Sequence, residues 1–76
     1  ADKLEHEPSL KANELELKLQ KAILSLPEKQ RAVFNLRYYD EMKYEDMSEV
    51  LGTSVGALKA SYHHAVQKIE KFLQSF

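Results

Sequence analysis

Tyr44-Glu45-Asp46-Met47-Ser48-Glu49-Val50-Leu51-Gly52-Thr53-Ser54-Val55-Gly56-Ala57-Leu58 reads as two helices meeting at a sharp bend. Tyr44 to Leu51 is long enough for two turns, with Met47, Val50 and Leu51 expected to face inward. Gly52 follows, where a helix ends best on a residue with no Cβ to clash in left-handed backbone. Thr53-Ser54 restarts the chain, and Ser54 is a preferred N-cap type. From Val55 to about Gln74, the residues Leu58, Tyr62, Ala65, Val66, Ile69, Phe72 and Leu73 form one apolar stripe. A short helix, a glycine turn and a longer helix make a helix-turn-helix. Met47, Leu51, Leu58 and Tyr62 are placed to pack the pair. The second helix then presents Gly56, Ala57, Lys59, Ala60, His63, His64 and Gln67 outward.

Upstream, the same signals predict two more helices. One spans about Leu10 to Leu24, with Leu15, Leu19, Ala22, Ile23 and Leu26 on one face. Ser25-Leu26-Pro27-Glu28 reads as a capping box that opens the next helix, with Pro27 in a first turn that needs no donor. That helix runs to about Tyr39 and buries Val33, Phe34 and Leu36, with Arg37 in the same sector as a snorkelling or ion-paired cation. Asp40-Glu41-Met42-Lys43 is a turn. Residues 1–9 are polar, contain Pro8 and lack an apolar period, so they read as a linker or frayed end. No stretch alternates with period two, so no sheet is expected. The fold predicted over residues 10–76 is all-α, a four-helix helix-turn-helix domain without a wing.

Composition narrows the function. Seventy-six residues with 43% hydrophobic and 30% charged side chains suit one small globular domain. With no cysteine, a disulfide framework, a thiolate metal site and a cysteine nucleophile are excluded. No apolar run approaches the roughly 18 residues of a membrane span, and a cytoplasmic setting is expected. The absence of an initiator Met suggests part of a longer protein. Eleven Lys and Arg against twelve Asp and Glu give a formal charge of -1, so there is no global basic field. Local charge differs: residues 51–76 hold three lysines and one acid, Glu70, whereas acids outnumber bases in the rest. No catalytic constellation stands out, because the acids are scattered and neither a phosphate loop nor a triad spacing is present. The chain is therefore expected to be no enzyme, with no cofactor, metal or small-molecule substrate. His63 and His64 are adjacent, so on a helix they point about 100° apart and do not chelate one ion together.

Leu26-Pro27-Glu28-Lys29-Gln30-Arg31-Ala32-Val33-Phe34-Asn35-Leu36-Arg37-Tyr38-Tyr39, followed by Tyr44 to Gly52 and Ser54 to Lys59, resembles region 4 of bacterial sigma factors, the extracytoplasmic-function group most closely. The resemblance covers about residues 12–74. It implies a transcription-initiation domain whose last helix binds the upstream, minus-thirty-five promoter element. It also implies docking on the β-subunit flap of RNA polymerase and, as in many members, capture by an anti-sigma protein. Carried over by position, Ser54 to His64 is the recognition segment, with Lys59 where the family is usually basic. Arg31 and Glu45 stand where the family often has an ion pair. Ser61 and His64 replace frequent arginines, Lys43 a frequent Ser N-cap and Ser48 a frequent Ala.

The expected DNA-binding set is Ser54, Val55, Gly56, Ala57, Lys59, Ala60, His63, His64 and Gln67. The helix N-terminus offers unpaired N–H groups to phosphate, Lys59 a charge, and the small residues a close approach. Leu10, Leu17 and Leu24 repeat every seventh position almost opposite the core face, and form the expected partner-binding stripe. Two other readings stay open: a helix-turn-helix output domain of a response regulator, and a protein-interaction adaptor that has lost DNA binding.

Overall fold

The computed structural model describes the backbone of residues 2–75 and the side chains of residues 13–75. Its regular structure is helical throughout: α1 Asp2–Leu24, α2 Glu28–Tyr38, α3 Tyr44–Leu51 and α4 Val55–Gln74. The last three agree with the sequence signals. α1 starts earlier than its apolar period, so residues 2–9, expected as a linker, are helical even through Pro8. Lys, Leu and Glu are strong helix formers, so propensity favours helix there without an apolar period.

The three corners have different causes. Between α1 and α2 the expected capping box does not form. The Ser25 hydroxyl turns back and donates to the Ala22 carbonyl at 2.6 Å, closing α1 instead of opening α2. Pro27 takes the N-cap position, and its carbonyl accepts the first α2 bond from the Arg31 N–H at 2.9 Å. Burial of Leu26 dictates this path: its side chain is only 4% exposed, wedged between the two helices. Arg31 also donates from Nη1 to the Leu24 carbonyl at 3.4 Å and makes no ion pair with Glu45.

In the α2–α3 turn, Glu41 takes a left-handed φ of 52°. The Met42 N–H bonds the Leu36 carbonyl at 3.0 Å. Arg37 then donates from Nη1 to the Met42 carbonyl at 2.8 Å, which ties the turn to α2. The α3–α4 bend follows the sequence reading. Gly52 ends α3 at φ 64° and ψ 32°, and its N–H bonds the Ser48 carbonyl at 2.9 Å. Ser54 caps α4, its hydroxyl accepting from the Ala57 N–H at 3.2 Å.

Packing centres on α4, which touches each of the other helices, whereas α1 and α3 do not meet among the described residues. Two apolar clusters result. Ala22, Ile23, Leu26, Phe34, Ala65 and Ile69 join α1, α2 and the C-terminal half of α4. Val33, Met47 and Leu58 join α2, α3 and the start of α4. Tyr62 borders both and stacks on Phe34, ring centres 5.6 Å apart and 14° from parallel. Met47 and Leu58 are the largest fully buried side chains, each burial contributing about 2 kcal/mol.

Two residues expected inside are outside. Val50 is 67% exposed. Tyr44, Met47 and Leu51 define the inward side of α3, and Val50 lies about 90° from its middle. Leu15 is 63% exposed. It lies one turn before Leu19, which packs at the edge of the first cluster. Leu36 and Arg37 are half-buried rather than core.

A Cβ on Gly52 would meet no atom within 4 Å, so the cost of a side chain there is purely conformational. Gly52→Ala is expected to destabilise the domain by about 1–2 kcal/mol. Urea unfolding should show a lower midpoint with an unchanged slope. An unchanged midpoint would mean that the bend does not depend on the left-handed residue.

Candidate nucleic-acid interface

The inward stripe of α4 leaves the other side of the helix to solvent. Gly56, Ala57, Lys59, Ala60, His63, His64 and Gln67 are all exposed, as is the cap Ser54, while Val55 is half-buried. On a helical projection Gly56, Ala57, Lys59, Ala60, His63, His64 and Gln67 lie within about 80° of the Gln67 direction, so these seven form one face, whereas Val55 lies about 120° away and Ser54 sits at the cap.

The electrostatics of this face come from the backbone and from few side chains. The first turn of α4 contains no acid. Ser54 takes up the Ala57 N–H; those of Val55 and Gly56 belong to the first turn, which has no intrahelical acceptors. They carry the positive end of the α4 dipole. Lys59 adds a full charge three residues beyond Gly56. Glu70, the one acid of α4, lies three residues beyond Gln67. The His63 and His64 rings are 6.1 Å apart between centres and tilted by 51°. No group of three or more metal-ligating residues occurs among the described residues.

One neighbourhood was not legible in the sequence. Tyr44, at the start of α3, has the Lys59 Nζ 5.7 Å from its ring centre and the Arg37 guanidinium carbon 4.8 Å from it. Fifteen residues separate Tyr44 from Lys59, and no periodicity links them. The remaining tyrosines are core-edge groups. Burial raises the Tyr62 hydroxyl above its usual pKa, with Tyr44 adding to this and Arg37 opposing it. Burial likewise raises Tyr39, helped by the Glu16 carboxylate and by Tyr38. Both remain protonated near neutrality and supply no general base.

On α1, Leu17 and Leu24 are 61% and 67% exposed and face away from the Leu19 and Ile23 side. The side chain of Leu10, expected in the same stripe, lies outside the described residues. No helix among those described is long and apolar enough to cross a membrane.

A family profile described as "Sigma-70, region 4" matches residues 16–69. The ECF RNA polymerase sigma factor SigW of Bacillus subtilis is 34% identical over 74 residues, covering 97% of this chain and 40% of that protein. An RNA polymerase sigma-E factor of Streptomyces avermitilis is 36% identical over 50 residues, 66% of this chain and 28% of its own length. An RNA polymerase sigma-H factor of Pseudomonas aeruginosa is 31% identical over 68 residues, 90% of this chain and 35% of its own. The chain spans well under half the length of these curated relatives.

Gly56 has no packing reason to be glycine, because a Cβ there would meet nothing within 4 Å and its φ is not left-handed. Gly56→Ala should therefore raise stability by about 0.5 kcal/mol. A thermal melt checks this, and a lower Tm would show that the α4 N-terminus is under a constraint absent from this geometry.

Proposed function

This chain belongs to the sigma-70 region 4 family, and from that premise we propose that α4 reads the upstream, minus-thirty-five element of a promoter while the domain is docked on RNA polymerase. The observation that carries the reading is the exposed, acid-free face of α4 between Ser54 and Gln67. It fits a major groove, where a recognition helix enters with its N-terminal residues against the bases. The Val55 and Gly56 N–H groups and Lys59 hold backbone phosphates. Gly56, Ala57 and Ala60 keep the helix surface low. His63, His64 and Gln67 reach further along the groove. The chain acts by binding, without catalysis, in the cytoplasm where the polymerase works. The family match favours this over a response-regulator output domain.

The second surface is the α1 stripe. Leu17 and Leu24 are apolar and exposed, so they suit a protein partner: the β flap of the polymerase, with an anti-sigma protein as a competitor for the same face. A small, nearly neutral domain binds DNA weakly alone, and tethering on the polymerase raises its effective concentration.

Fluorescence anisotropy with a labelled promoter duplex tests the DNA reading. Lys59→Ala should lower affinity and reduce the slope of log K against log salt by about 0.9, the signature of one lost phosphate contact. An unchanged slope would remove Lys59 from the interface. Leu17→Glu should keep the helical circular dichroism and the DNA affinity while weakening binding to the isolated flap. Unfolding would show instead that the stripe is structural.

A further inference from the structure

Lys59 projects from the exposed side of α4, yet its ammonium does not stand alone. Its Nζ lies 5.7 Å from the centre of the Tyr44 ring, on the first residue of α3. The Arg37 guanidinium, from α2, lies 4.8 Å from the same centre. Arg37 is anchored, because Nη1 donates to the Met42 carbonyl at 2.8 Å. Tyr44 is anchored too: it is half-buried and packs on the cluster of Val33, Met47 and Leu58. Three helices therefore meet at one aromatic ring, and only Lys59 among the three residues is exposed.

The face of an aromatic ring carries negative electrostatic potential and attracts cations. A lysine on a flexible four-carbon stem loses much rotamer freedom when it binds a phosphate. A ring that already restrains the stem removes part of that loss in advance. The tethered Arg37 guanidinium adds a like charge at the same ring.

We propose that Tyr44 is a positioning residue: its ring holds the Lys59 ammonium in readiness for a DNA phosphate. This rests on the reading of α4 as the DNA-binding helix. It differs from a purely structural role for Tyr44, and from a direct hydroxyl contact to DNA.

The test compares Tyr44→Phe with Tyr44→pentafluorophenylalanine in the intact chain. Both keep a ring of similar shape on the core, but fluorination inverts the electrostatics of the ring face. With a labelled promoter duplex at fixed salt, Tyr44→Phe should bind like the wild type. The fluorinated variant should bind roughly two- to fivefold more weakly, and in a Lys59→Ala background the two should bind equally. In the DNA-free protein, NMR should show ring-current shifts of the Lys59 ε-methylene protons in the wild type and in Tyr44→Phe. Equal affinity of the two ring variants with Lys59 present, a difference that persists without Lys59, a loss already complete in Tyr44→Phe, or missing ring-current shifts would each overturn the positioning role while leaving the DNA reading intact. A wild type that binds no promoter duplex would overturn both.

Discussion

One helix stripe has to serve two cores. Leu58 at the start of α4 closes the cluster under α3, and Ala65 and Ile69 close the cluster under α1. Tyr62, between them, borders both and stacks on Phe34, which stacks on Tyr38 in turn at 5.0 Å. α4 is thus gripped along most of its length by α1, α2 and α3 on a single side. In a chain this short, where folding buries only about 60% of the unfolded surface, that sharing joins the four helices into one unit. It also leaves the opposite side of α4 bare, and that bare side is the candidate interface.

The division of labour among side chains follows. Residues that face the clusters are apolar and fill space. Residues on the free face are small, amide, histidine or lysine, and Glu70 is the one acid of the helix. The domain has no global positive field, since its formal charge is -1. The positive character of the free face of α4 is local, made of one helix terminus and a few side chains. Local placement therefore matters more than charge count, which gives the surroundings of Lys59 their weight. The exposed leucines of α1 lie on a helix that does not meet α3 among the described residues.

Much of the fold was legible because its signals are local. The left-handed φ of Gly52, the cap by Ser54 and the run of apolar residues from Leu58 to Leu73 depend on groups within a turn or two of one another. The family resemblance carried by residues 26–59 agrees with the profile match over residues 16–69. Ser25 shows where local logic stops. A capping box would turn its hydroxyl forward onto α2, yet it donates backward to the Ala22 carbonyl, beside the buried Leu26. Leu15 and Val50 show the same limit. Each shares the apolar character of its neighbours, but exposure depends on where another helix ends and on which flank of a short helix that helix covers.

By itself, the sequence determined the four helices' identities, the bend at Gly52–Ser54 and the composition of the outer face of α4, because these rest on backbone conformational preference and on periodicity along one segment. It also determined that acids are scarce within α4. Tertiary structure alone decided which leucines are exposed, how the α1–α2 corner is closed and that Arg37, Tyr44 and Lys59 converge from three helices onto one ring. Those outcomes are set by the relative placement of segments distant in the chain, and free energy there is gained from contacts that no single helix contains.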